Sequence, residues 1–174
     1  MTGKTFLNRV TNGQTDVIAL LLSLLEQSGA GYCVIGGLAV NAYAEPVVSL
    51  DLDIVIVIDR VQALCEAAIS KGFKIERFEH SINLSVSGSD LRIQIQTDPR
   101  YQEFIPRAAQ RDVLGYTMAV AALEDVLHGK IWAYRDKQRR KSKRQKDLAD
   151  ILRVVETHPE LKDQLPPEIE SQAE

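Results

Sequence analysis

Apolar positions recur along this chain at two spacings, and the switches between them mark out its elements. From Thr15 to Ser28, leucines at positions 20, 21, 22, 24 and 25 predict a helix. Thr15 is its expected cap, and Gly29-Ala30-Gly31 its end. The apolar run Tyr32 to Ile35 predicts a buried strand, broken by Gly36-Gly37. A short helix over Leu38 to Ala44 follows, stopped at Glu45-Pro46 because a residue before proline avoids the helical region. Between Leu50 and Ile58 the spacing changes to two. The even positions are all aliphatic, while the odd positions start with Asp51 and Asp53 and turn apolar at Val55 and Val57. A strand apolar on both faces over most of its length belongs in the middle of a sheet, with its two acids at the end that opens to solvent.

The pattern goes on with a helix from Val61 to Lys71 and three strands: Phe73 to Phe78, Ile82 to Val86 and Leu91 to Gln96. Ser87-Gly88-Ser89 predicts a hairpin between the last two, so part of the sheet is antiparallel. Two helices, Ala121 to Tyr134 and Gln145 to Glu156, close the pattern. The expectation is an α/β (α+β) fold, a mixed sheet with flanking helices. Residues 1–118 form its core, 119–158 a helical segment packed on that core, and the acidic tail 159–174 is expected to fray.

Composition narrows the function classes. The two cysteines, Cys33 and Cys65, exclude a disulfide scaffold and a cysteine-based zinc module; both sit in apolar surroundings as buried thiols. His80, His128 and His158 lack the spacing of a metal site or a catalytic pair. No apolar run is long enough to span a membrane, and nothing at the N-terminus argues for export, so a soluble, cytoplasmic protein is expected. The net charge of −3 conceals an asymmetry, for Arg135 to Lys146 holds eight basic residues and a single acid. Such a segment attracts phosphate, on a nucleotide or on RNA, although it also suits a solvated connection between helices.

Thr2-Gly3-Lys4-Thr5 resembles the end of a phosphate-binding loop but lacks the upstream strand and glycine, and is set aside. The constellation that remains is Gly36-Gly37 after a buried strand and Asp51-Leu52-Asp53 at the mouth of the next. Carboxylates two apart on a strand point the same way, with Cα atoms about 6.5–7 Å apart, a spacing that can bracket hard divalent cations. A bare glycine backbone lets amide N–H groups approach a phosphate. Triphosphate beside such cations is the equipment of nucleotidyl or phosphoryl transfer.

The stretch Tyr32 to Asp59, YCVIGGLAVNAYAEPVVSLDLDIVIVID, resembles the signature of the DNA polymerase beta-like nucleotidyltransferase superfamily. Within it the chain looks most like the abortive-infection nucleotidyltransferases, the toxins of type IV toxin–antitoxin systems. The later pattern Glu124-Asp125, Lys130, Arg135 and Lys146-Asp147-Leu148-Ala149-Asp150 is similar to that group's C-terminal region. The resemblance implies Asp51 and Asp53 as the catalytic pair and Mg²⁺ (or Mn²⁺) ligands, with a nucleoside triphosphate as substrate. It also implies Gly36, Gly37, Ser49, Lys130, Lys146 and Asp147 as nucleotide-binding residues.

There are two departures from the family pattern. Val47 stands where relatives carry an arginine, and Gln94 stands at the expected third carboxylate, with Asp90 and Asp98 as possible substitutes on the same strand face. An amide can coordinate weakly but cannot act as a base. The function that the resemblance implies is transfer of a nucleotide to an RNA or protein hydroxyl, with RNA met by the basic run and a cognate antitoxin as partner. Two alternatives stand beside it: a catalytically silent nucleotide-binding module of the same fold, and a small-molecule (antibiotic) nucleotidyltransferase.

Overall fold

The computed structural model describes residues 2–173. Seven strands form one mixed sheet, β1 (Tyr32–Ile35), β2 (Asp51–Ile56), β3 (Lys74–Arg77), β4 (Ser81–Ser85), β5 (Arg92–Gln96), β6 (Ala109–Val113) and β7 (Tyr116–Val120), in spatial order β3-β4-β5-β2-β1-β7-β6. β2 is central, as its two-faced apolar pattern requires. It runs antiparallel to β1 and parallel to β5. Leu52, Ile54 and Ile56 are fully buried, and so is Val55 on the opposite face.

Among the described residues, seven α-helices accompany the sheet: α1 (Gly3–Val10), α2 (Val17–Ser28), α3 (Gly36–Val40), α4 (Ile58–Ser70), α5 (Leu123–Arg135), α6 (Lys141–Thr157) and α7 (Pro167–Glu170). α2 and α4 pack on one another, while α3, α5 and α6 form a second group that includes the α3–β2 contact. Among the described residues, no helix is long and apolar enough to cross a membrane.

Several expectations are corrected. The cap of α2 is Asp16, not Thr15: its carboxylate accepts from Ala19 N at 3.0 Å and from the Tyr116 hydroxyl at 2.9 Å. Thr2 caps α1, its hydroxyl accepting from Thr5 N, so the phosphate-loop look-alike is a helix start. Gly36 and Gly37 do not form a separate turn but open α3. Between Gln96 and Val120, where the pattern predicts no element, lie a 3-10 helix (Pro99–Arg107) and the β6–β7 hairpin. That hairpin closes through Leu114 (φ 53°) and Gly115 (φ 86°), a left-handed pair that lacks the usual Asn-Gly or Asp-Gly marker. The tail, expected to fray, is built into the fold over its described residues, 159–173. A 3-10 helix (Pro159–Gln164) and α7 bury Leu161, Leu165 and Ile169, and Glu168 pairs with Arg135 at 2.8 Å.

The loop before β2 is fixed by Asn41, whose side-chain amide donates to Val47 O (2.8 Å) and accepts from Val47 N (3.0 Å). Behind the sheet end, Gln102 of the first 3-10 helix donates to Ile56 O and accepts from Ile58 N, while Arg107 makes a two-pronged pair with Asp125 of α5. The Arg107–Asp125 pair ties α5 to the 3-10 helix, and α5 lines one cavity together with Asp53 and Gln94.

Candidate active site

The alternation of β2 puts Asp51 and Asp53 on one face. The sheet register extends that face sideways: Asp53 lies between Ile35 of β1 and Gln94 of β5, and Gln94 lies beside Asn83 of β4. The position read as the third carboxylate is therefore next to Asp53, and an amide fills it. Asn83 Oδ1 is buried with no hydrogen-bond partner among the described residues. Asp98, one of the two acids expected on this strand face, is engaged elsewhere. It lies beyond β5, caps the 3-10 helix and pairs with Arg100 at 2.8 Å. Asp90 borders the outer side of Asp51 rather than the space over Asp53.

Gly36 meets Asp53 directly. A β carbon on Gly36 would fall 2.2 Å from Asp53 Oδ2, and its φ of +70° disfavours any side chain. Gly37 is less constrained, since a β carbon there would find only ordinary contacts with Asp150 and Ser49. Ser49 is buried and faces inward to the backbone: its hydroxyl donates to Asp51 O (3.0 Å) and accepts from Asp51 N (3.2 Å), fixing the start of β2.

The two aspartates differ in surroundings. Asp51 Oδ1 accepts from Arg92 Nε (2.9 Å) and Nη2 (2.7 Å), and Oδ2 from Lys143 Nζ (3.1 Å). Burial alone would raise its carboxyl, but Arg92 and Lys143 outweigh that and hold it below the ordinary carboxylate range. Asp53 keeps some exposure to the cleft yet is crowded by protein. Burial lifts its carboxyl above the ordinary range; Lys130 opposes the shift and Asp51 adds to it.

Lys130 and Asp147 belong to a buried cluster. Lys130 Nζ lies 3.0 Å from Asp147 Oδ1 and 2.8 Å from Asp150 Oδ2, the latter an ion pair off the hydrogen-bond direction. Arg139 Nε reaches Asp147 Oδ2 at 2.7 Å, and Arg153 Nη2 reaches Asp150 Oδ1 at 2.9 Å. Lys130 and Asp147, expected to bind nucleotide, are thus ion-paired within this cluster, while both still line the cleft over Asp51 and Asp53.

Half of the basic run is similarly engaged. Of its eight basic residues, Arg135, Arg139 and Lys143 pair with carboxylates, and Arg144 donates to Tyr134 O. It is also not purely a connection, for α6 starts at Lys141. Arg92 was not legible as a site residue, and Lys143 only as a member of the basic run; they reach Asp51 from 41 and 92 positions away.

A cleft of about 360 Å³ opens over this face. Its walls carry Arg92, Lys130, Arg139, Arg140, Lys143 and Lys146 against Asp51, Asp53 and Asp147, an excess of positive charge that favours a polyanion. A cavity of about 70 Å³ continues beneath, between Asp53, Gln94 and α5. Among the described residues, no group of three or more His, Cys, Asp or Glu converges as a metal site. Two carboxylates with a neighbouring amide oxygen nonetheless fit magnesium, which takes one or two carboxylates and completes its shell with water and substrate phosphate.

Comparison with protein-family models and with curated protein sequences finds no match. Among solved structures, the chain is similar to ANT(2″)-Ia in complex with adenylyl-2″-tobramycin, with 14% identity, 90% of this chain and 94% of that one covered, and a TM-score of 0.67. It is similar to the lincosamide antibiotic adenylyltransferase LnuA with lincomycin bound, with 13% identity, coverage of 79% and 95%, and a TM-score of 0.55. A third is an antigenic nucleotidyltransferase-like protein from Paracoccidioides brasiliensis, with 17% identity, coverage of 95% and 84%, and a TM-score of 0.53. The fold is thus that of these nucleotidyltransferases, the fold that the family resemblance implies.

Proposed function

We propose that this protein transfers a nucleotidyl group from a nucleoside triphosphate to a hydroxyl acceptor, with Asp51 and Asp53 holding Mg²⁺ or Mn²⁺. The observation that carries this reading is the contact of the Asp53 carboxylate with the side-chain-free Gly36, at the floor of a cleft with surplus positive charge. The acceptor hydroxyl oxygen attacks the α-phosphorus and releases its proton to solvent, the bond to the bridging oxygen breaks, and pyrophosphate leaves. A bound divalent cation supplies positive charge to the reacting phosphate. Lys146 and Arg140, exposed on the cleft wall, face the β- and γ-phosphates, and the Gly36-Gly37 backbone admits the chain of phosphates beside Asp53. Lys130 acts at one remove: by neutralising Asp147 and Asp150 it holds α5 and α6 together over the cleft.

For the acceptor, a small hydroxyl-bearing molecule has more support than RNA. Four of the eight cations in the basic run are held in internal contacts, and two of the similar structures carry antibiotics in their names. An RNA or protein hydroxyl, a toxin role and an antitoxin partner are what the family resemblance implies, and they enter the test as its other arms. The protein is incubated with labelled nucleoside triphosphates, Mn²⁺ and, separately, hydroxylated antibiotics, total RNA and cell lysate protein. Label transfer abolished by Asp53→Asn is the expected result; no transfer in any arm, with no nucleotide bound, overturns the reading.

A second reading, a nucleotide-binding module without catalysis, is favoured by Gln94 beside Asp53. The two part on Gln94→Asp. If the missing carboxylate limits the rate, turnover rises by about 100-fold, on the scale of a general-base contribution. Tight nucleotide binding without transfer in either form supports the module.

A further inference from the structure

Both oxygens of Asp51 are taken by cationic side chains from outside β2. Arg92 is its register neighbour on β5, and two of its nitrogens meet Oδ1. Lys143 comes from the first turn of α6 and meets Oδ2 at 3.1 Å. The Lys143 side chain is 30% exposed, so solvent already reaches it. A lysine is also the partner suited to leaving, a single point charge on a flexible four-carbon stem, whereas Arg92 grips with a rigid fork. A divalent cation on Asp51 would bring two positive charges within bonding distance of the same oxygen that the ammonium occupies, and like charges so close repel strongly in a half-buried cleft. Lys143 lines the same cleft as Gly37, Arg140 and Lys146, where a polyphosphate would offer it another anion.

We infer that Lys143 holds the cation's place on Asp51 until a nucleotide's phosphates draw it off, so that metal and nucleotide bind cooperatively. This rests on the nucleotidyltransferase reading above. The coupling is reciprocal: whatever factor the nucleotide adds to metal affinity, the metal adds to nucleotide affinity. Lys143 is thus a positioning residue, whose removal should strengthen one ligand while weakening the other.

The test is Mn²⁺ titration of the full chain followed by electron paramagnetic resonance, with and without adenosine 5′-(α,β-methylene)triphosphate. Lys143→Met should bind Mn²⁺ about tenfold more tightly than the unaltered protein when no nucleotide is present, within the range of ordinary coupling factors. The same variant should bind the analogue more weakly and show a smaller coupling factor, and Lys143→Arg should restore the original Mn²⁺ affinity. Unchanged or weaker Mn²⁺ binding by Lys143→Met overturns the inference alone, provided that Asp51→Asn abolishes Mn²⁺ binding. If Asp51→Asn leaves Mn²⁺ binding intact, the metal assignment itself falls, and this inference falls with it.

Discussion

Around Lys130, carboxylates and basic side chains meet almost sealed from water: the side chains of Lys130, Asp147 and Asp150 are 8%, 2% and 6% exposed. Around Asp51, the same kinds of group meet at the cleft mouth, with Arg92 46% and Lys143 30% exposed. The chemistry is alike but the consequence differs. In the sealed cluster each charge depends on the others, because an ion left unpaired in the interior has no solvent to fall back on. In the open cluster water can replace any partner, so the pairs add little stability but remain exchangeable. One cluster is closed to solvent and the other is open to exchange with it.

The contrast breaks most visibly at Lys130. Lys130→Met leaves two buried carboxylates without their shared cation and is expected to cost about 3–5 kcal/mol in urea unfolding. A cost near zero would mean that Arg139 and Arg153 suffice to hold the cluster. Next is Gly36→Ala, which pushes a methyl group into Asp53. Displacing that carboxylate by about 1 Å should lower transfer by about 100-fold, whereas Gly37→Ala stays near the original rate. At the open cluster, Lys143→Met should change unfolding stability by at most about 1 kcal/mol, whatever it does to ligand binding.

The smallest expected effect lies in acid. Burial alone would raise the Asp150 carboxyl, but Lys130 and Arg153 outweigh it and hold it below the ordinary range. Its stabilising contribution is complete above the unfolded value, about 3.9, and is lost as pH falls through the lower folded value. Unfolding midpoints measured below about pH 4 should therefore fall less steeply in Asp150→Asn than in the unaltered protein.

What could be read in advance followed from short-range geometry. β2 declares itself by its alternation, Asp51 and Asp53 by their spacing, and Gln94 by its place on the neighbouring strand, because each depends on residues within one or two elements. The clamp on Asp51 depends on contacts 41 and 92 positions apart, which no local periodicity encodes. The same holds for Lys130: its sequence neighbours say nothing of the two carboxylates on α6 that claim it. The β6–β7 hairpin escaped because Leu114 occupies a left-handed position that asparagine or glycine usually marks. The tail misled by its acidity, although Leu161, Leu165 and Ile169 recur every four residues and face inward.

Asp53 sits against the Gly36 backbone with no hydrogen-bond donor or ion-pair partner reaching its carboxylate among the described residues. A negative charge so confined is a liability to the whole chain, and any ligand that relieves it returns the difference as resistance to heat. At a concentration about 100 times its dissociation constant, such a ligand adds about 2.7 kcal/mol, which for a chain of this size is a rise of roughly 5–10 °C in melting midpoint. Melting curves taken across a panel of cations, nucleotides and hydroxylated compounds can therefore identify what this cleft accepts before any product has been isolated.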